Sequence, residues 1–200
     1  MKIFFLLVLI GSATIFSQEF KEELLVHQND TLLYRILLPK NYNSQKSYPL
    51  LIFLHGAGER GNDNKSQLVH GSFLFKSKNF IKNHPAIVVF PQCPEKSSWA
   101  NVKRNYEMSA GQKFDFFKKI SENRQLILVE KLLDLIQKKY DIDETRRYVG
   151  GLSMGGMGTF ELVARNPDYF AAAFPICCLL YTSDAADDTP CVDLGGRRII

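Results

Sequence analysis

A single serine with glycines two residues before and two after it, Gly151-Leu152-Ser153-Met154-Gly155, stands between an apolar run and a helical pattern. The preceding residues 147–151 read as a strand, and residues 154–166 read as a helix. A serine at so sharp a strand-to-helix turn takes a strained backbone conformation with close neighbours on both sides. The flanking glycines remove the Cβ atoms that would collide there. The turn would lift the Ser153 hydroxyl clear of the sheet edge, at a helix N-terminus where developing negative charge is favoured. Five letters alone also fit a glycine-rich turn with an incidental serine. The strand before and the helix after favour a nucleophile.

Composition narrows the remaining classes. Two hundred residues with 46% hydrophobic and 12% aromatic content can bury the core of one globular domain. The net charge of +4 is scattered, with no Lys/Arg run that would serve nucleic acid. Residues 1–17 form a separate object: Lys2 is a positive start, 3–10 are apolar, and Gly11-Ser12-Ala13 opens a smaller, more polar stretch. The apolar run ends by Phe16, short of the roughly 18 residues of a spanning helix. The expectation is a removable signal peptide cleaved after Ser17, a secreted or periplasmic product, and no stable membrane insertion after cleavage.

The other end also changes character. From Cys178 onward neither a strand nor a helix period is visible. Residues 178–187 resemble translated DNA from a transposase-type sequencing-library adapter, and 192–200 resemble the outer primer of that adapter in the same frame. Residues 178–200 are therefore expected to be a non-native tail. Residues 18–177 would then be the N-terminal part of one domain, truncated after the strand that follows the nucleophile helix.

Between these ends, residues 23–27 and 32–38 read as a hairpin around Gln28-Asn29-Asp30. Residues 50–54 and 86–90 are apolar runs that suit strands buried on both faces. A short helix is expected within 67–83, irregular chain over 97–111, and a further strand over 170–176. Leu126, Val129, Leu132, Leu133 and Ile136 recur at helical spacing and predict an amphipathic helix over about 122–140. Strands alternating with helices imply an α/β architecture, a mostly parallel sheet with helices on both faces.

His55-Gly56-Ala57-Gly58 follows a buried strand directly. Acyl transfer needs backbone amides aimed at the carbonyl oxygen as it becomes negative, and small residues let the main chain approach. The Met154 amide, after the nucleophile, is one candidate donor. Ala57 is the favoured second donor, with Gly56 as the alternative. His55, opening the loop, is expected to hold it by hydrogen bonding rather than act as the base.

The pairing of His55-Gly56-Ala57-Gly58-Glu59-Arg60-Gly61-Asn62 with Gly151-Leu152-Ser153-Met154-Gly155-Gly156 resembles the α/β-hydrolase superfamily. Within it the chain is similar to secreted bacterial esterase/peptidase-like proteins related to feruloyl esterases and polyhydroxyalkanoate depolymerases. Pro91-Gln92-Cys93-Pro94, Ser98-Trp99 and Asn166-Pro167-Asp168-Tyr169-Phe170 share that similarity. The resemblance implies Ser153 as the catalytic nucleophile of an acyl-enzyme mechanism on a small-molecule or carbohydrate-linked ester. A serine peptidase is the runner-up, and a binding protein without turnover the third reading. No spacing here suggests a metal site and no glycine pattern a nucleotide phosphate loop, and no cofactor is expected. The family order is Ser, then Asp or Glu, then His, yet His27, His55, His70 and His84 all precede Ser153. The triad acid and base are therefore not among these residues, and the chain by itself is expected to be inactive. Asp168 reads as a turn residue.

Three smaller expectations follow. Trp99 lines the substrate pocket or packs as a plain aromatic, with neither favoured. Glu59 and Arg60 brace the 55–58 loop as an ion pair. Cys93 and Cys177 stay free thiols, because their strands would lie roughly 14 Å apart at sheet spacing whereas a bridge needs Cα atoms within about 7 Å.

Overall fold

The computed structural model describes residues 18–104, 114–116 and 123–176. The expected signal peptide, Cys177 and the 178–200 stretch lie outside the described residues.

The chain opens with β1 (Lys21–His27) and β2 (Asp30–Leu37), an antiparallel hairpin in which His27 faces Asp30 and Gln28 takes a φ of 53° in the turn. β3 (Tyr48–Leu54) follows and is buried along almost its whole length. Pro49 is accommodated where the β3 pairing shifts register between Tyr48 and Leu50, a bulge that does not need its missing N–H. Between β3 and β4 (Ile87–Pro91) lie a 3₁₀ turn at Ala57–Glu59, another at Ser66–Leu68, and helices α1 (Ser72–Phe75) and α2 (Lys78–Asn83). The one short helix expected over 67–83 is thus broken into pieces. Gly71 at φ 85° separates the second 3₁₀ turn from α1, and the Ser77 hydroxyl restarts the chain by capping the Phe80 amide at 3.2 Å.

β5 (Val102–Arg104) and β6 (Phe114–Phe116) make a separate two-stranded ribbon, Arg104 opposite Phe114. Irregular chain was expected at 102–104; strands of three residues are too short to show a period of two. Helix α3 (Arg124–Lys139) begins where Asn123 caps it, its side chain accepting from the amides of Gln125 and Leu126 at 3.0 and 3.1 Å. β7 (Ile142–Leu152) starts five residues before the expected strand at 147. Its first half carries Asp143, which accepts from the Thr145 amide and hydroxyl, a local polar knot that hides the strand from a hydrophobicity pattern. Helix α4 (Met154–Arg165) and β8 (Ala172–Ile176) complete the described chain.

Six strands form one sheet in the order β1-β2-β4-β3-β7-β8, antiparallel for β1, β2 and β4, then parallel from β4 through β8. Alternation along β3 divides the core. Leu50, Ile52 and Leu54 face a cluster with Leu126, Leu132 and Ile136 of α3 and Leu162 and Val163 of α4. Leu51 and Phe53 face a second cluster with Phe75 of α1, Phe90, and the partly buried Phe80 and Phe174. Helices thus cover both faces, and the sheet is the mostly parallel mixed sheet of the α/β-hydrolase fold.

The Phe174 ring of β8 lies over Gly150 of β7, where a Cβ would stand 2.0 Å from it. Gly150→Ala is expected to cost about 1–3 kcal/mol through overpacking. With Phe174→Ala in the same chain the combined loss should be smaller than the sum of the two. Urea midpoints of the four proteins check this, and strict additivity would refute it.

Candidate active site

Ser153 sits between β7 and α4 with φ 53° and ψ −109°, a conformation that side-chain-bearing residues rarely adopt. Three neighbours impose it. The Ser153 amide donates to the Ile176 carbonyl at 2.8 Å, and its carbonyl accepts from the Met157 amide at 3.1 Å. On the third side, a Cβ on Gly155 would lie 1.9 Å from the Leu54 carbonyl oxygen, and one on Gly151 2.3 Å from that of Gly155. The elbow is therefore pressed onto the C-terminal end of β3, and only glycine fits at either position. Ser153 is exposed while Met154, the next residue, is buried. The hydroxyl stands at the first turn of α4, whose opening amides have no intrahelical acceptor.

The 55–58 loop leaves β3 at that contact. His55 is 1% exposed. Its Nε2 accepts from the Cys93 amide at 2.9 Å, so the ring proton is on Nδ1, which donates to the Gly56 carbonyl at 2.6 Å. Burial lowers the pKa of His55 below its ordinary value, with the Gly56 carbonyl and Glu59 opposing that effect. The imidazole is thus a neutral clamp with both nitrogens engaged, the loop-holding role expected of it. The Gly56 carbonyl also accepts from the Glu59 amide at 3.4 Å. Because the peptide is planar and trans, the Ala57 N–H in the same unit points the opposite way, away from His55. Ala57 itself is exposed and Gly56 buried.

The rest of the loop is fixed by groups that sequence reading did not assign. Arg60 donates to the Ala57 carbonyl at 2.9 Å and to the Ser97 carbonyl at 3.2 Å. The expected Glu59–Arg60 pair is not formed: Glu59 Oε1 lies 3.5 Å from His70 Nε2. Adjacent residues in a tight 3₁₀ turn send their side chains to different faces, and Arg60 finds main-chain acceptors instead. Gln92 donates to Asp63 at 2.7 Å and accepts from the Asn64 amide at 2.7 Å. The Ser66 hydroxyl, with the Ser66 and Lys65 amides and Gln92, holds the Asp63 carboxyl far below the ordinary carboxylate range. The string Pro91-Gln92-Cys93-Pro94 was a visible signal at this place, but nothing in it reveals what Gln92 grips.

Trp99 is 0% exposed. Its ring meets that of His55 at 5.3 Å, and a Cβ on Gly158 would come within 2.5 Å of the Trp99 Cβ. The ring has no accessible surface and is wedged beneath the loop and against α4. Cys93 is a free, buried thiol whose pKa burial pushes up to about 12. Asp168 lies in the turn after α4, a helix of 12 residues, and so about 18 Å of helix from Ser153. Among the described residues no group of three or more His, Cys, Asp or Glu is placed to hold a metal ion, and no helix is long and apolar enough to cross a membrane.

An exposed serine with a positive φ thus stands at a strand-to-helix elbow beside a histidine-clamped glycine loop on the α/β-hydrolase fold. The chain belongs to the Esterase family, whose model matches residues 28–188, a span ending within the 178–200 stretch set apart above. A thermostable esterase of known structure is 36% identical, with a TM-score of 0.65 over 79% of this chain and 40% of its own. A ferulic acid esterase is 23% identical, with a TM-score of 0.59 over 82% of this chain and 62% of its own. The bifunctional acetylxylan esterase/xylanase XynS20E of Neocallimastix patriciarum is 28% identical over 134 residues, which are 66% of this chain and 16% of that protein. The chain thus spans less than half the length of the thermostable esterase (40%) and a small part of that of XynS20E (16%).

Two measurements follow. Ser153→Gly should raise stability by about 0.5–1 kcal/mol, since glycine relieves the positive φ, whereas Ser153→Ala should not. A glycine variant less stable than the alanine variant would contradict the strain. The His55 pKa is lowered on folding, so the unfolded chain binds the extra proton. Stability from this group is complete above the ordinary value of 6.5 and is lost as pH falls below it. His55→Asn should be less stable at neutral pH and should flatten that acid-side decline, as read from denaturant midpoints between about pH 7.5 and 5.

Proposed function

We propose that Ser153 is the nucleophile of a carboxylic ester hydrolase. Its Oγ attacks the acyl carbonyl, the alcohol departs, and water releases the acid from the acyl-enzyme. The observation that carries this reading is the positive φ of an exposed Ser153 wedged against the loop that His55 clamps. The oxyanion donors in this reading are the amides of Met154 and Ala57. Ala57 is preferred over Gly56 because the Gly56 carbonyl is tied inward, which turns the Ala57 N–H outward. The substrates are small-molecule or carbohydrate-linked esters, in keeping with relatives named for acetylxylan and ferulic acid. Export through the 1–17 signal peptide suits such substrates.

The 200 residues on their own are proposed not to turn over. All four histidines precede Ser153. His55 has both nitrogens engaged, His70 turns its Nε2 to Glu59 Oε1 at 3.5 Å, and His84 ends α2 with its ring 6.1 Å from that of Phe80. His27 ends β1, at the far edge of the sheet from the elbow. Without a base the serine hydroxyl stays a weak nucleophile.

The test uses the product of the whole source gene and the 200-residue chain side by side on 4-nitrophenyl acetate and a peptide 4-nitroanilide. The full product should hydrolyse the ester and not the anilide, and Ser153→Ala should lower kcat by roughly a thousandfold or more. The 200-residue chain should remain at the level of the Ser153→Ala variant. Ester turnover that survives Ser153→Ala would remove the proposed nucleophile, and preference for the anilide would make the protein a peptidase.

A further inference from the structure

Resting on that reading of Ser153, we propose that Val69, Phe73 and Ile176 form an apolar strip beside the nucleophile that receives the apolar portion of the ester. Val69, Phe73 and Ile176 are 64%, 67% and 40% exposed, and Leu74 next to Phe73 is 51% exposed. An exposed side chain on a loosely held loop would mean little, but the backbone presenting these is anchored. Phe75 of the same short helix is 5% exposed and packs edge-on against Phe80 and Phe90. Gly71, at φ 85°, lies so close to Phe53 that a Cβ there would meet its ring at 3.1 Å. The Ser72 hydroxyl donates to the Leu68 carbonyl at 2.5 Å. Core residues thus hold the segment while it turns its apolar side chains to solvent, the pattern that marks a binding surface.

Two independent chains of contact bring the strip to the nucleophile. On one side, His70, between Val69 and Gly71, reaches Glu59 at 3.5 Å. The other Glu59 oxygen lies 2.9 Å from where a Gly56 Cβ would be, so the segment borders the 55–58 loop. On the other side, the Phe53 ring that supports Gly71 also meets Phe174 at 6.2 Å. Ile176 is two residues further along β8 and therefore on the same face of the sheet. Its carbonyl accepts the Ser153 amide. An ester whose carbonyl carbon is at Ser153 Oγ has its two substituents leaving in different directions, and the strip lies along one of them. Burial of apolar surface there would favour larger apolar groups over small ones.

The test is Val69→Ser and Phe73→Ser in the product of the whole gene, against 4-nitrophenyl esters of increasing acyl length and acetates of increasingly large apolar alcohols. Both side chains are exposed, so the thermal midpoint should not move. Turnover of methyl acetate should stay within about twofold, while kcat/KM for the largest members of one series falls about tenfold. A loss that grows along the acyl series assigns the strip to the acyl group, and a loss that grows along the alcohol series assigns it to the alcohol. No change in either series, or an equal fall for every ester including methyl acetate, overturns the proposal. Saturation-transfer NMR with ethyl benzoate reads the strip without turnover. Weaker transfer to Phe73→Ser than to the parent supports it even if no ester is hydrolysed, in which case the hydrolase reading alone fails. Equal transfer to both counts against the strip.

Discussion

The first turn of α4 rests on the carbonyl end of β3 with no room for one carbon atom between them, and the rest of the site depends on that contact. A Cβ on Gly155 would enter the Leu54 carbonyl at 1.9 Å. Interiors tolerate little change in volume, so a contact this close fixes the relative position of the two elements to a fraction of an ångström. Ser153 is the residue before α4, and the 55–58 loop begins at the residue after β3. Each half of the site therefore inherits its position from the same point of the fold. Gly158 against Trp99 repeats the device one turn further along α4. That second contact seats the indole whose ring supports His55.

Position alone does not orient a loop of small residues, and here polar side chains with both a donor and an acceptor do that work. His55 takes the Cys93 amide with one nitrogen and gives its proton to the Gly56 carbonyl with the other. Only the neutral ring can do both, since a protonated one has no acceptor left. Burial, which disfavours the charged form, is thus a condition of the clamp and not a by-product of it. Gln92 uses its amide in the same way, oxygen to the Asn64 amide and nitrogen to Asp63. Arg35 adds a bond to the Asn64 carbonyl from β2. Neighbouring residues of one short segment, Gln92 and Cys93, therefore hold the start and the middle of the long excursion between β3 and α1.

The elements that bear the site were readable because their patterns are long or locally forced. Residues 50–54 and 86–90 are apolar throughout, and both became buried central strands. The period of Leu126 to Ile136 became α3, with its start moved to Asn123 because a side-chain cap outweighs periodicity at a helix end. The glycines around Ser153 were legible because each excludes a side chain that the fold has no space for. Less was visible where a residue's partner is distant in sequence. Gln92 meets residues 28 and 29 positions away, and Arg35 one 29 away. Glu59 and Arg60 looked paired because they are adjacent, yet each found a partner elsewhere. Trp99 could be placed near the loop but not beneath it, since burial depth has no local signature in an irregular segment.

The same geometry explains how a strained residue can persist at an exposed position. The pairing of β7 with β8 runs to Leu152 opposite Ile176, and the Ser153 amide then donates to Ile176 as though the ladder continued. Immediately afterwards the Ser153 carbonyl accepts the first bond of α4. One residue is therefore claimed by a strand on its amide side and by a helix on its carbonyl side, and a positive φ is what reconciles the two. Relaxing that angle would require giving up a sheet bond, a helix bond, or the Leu54 contact. All three meet at this one residue, so the strain is held by the fold rather than by any single bond. The side chains of Val69, Phe73 and Ile176 take no part in this arrangement, which leaves them free to differ without disturbing the elbow.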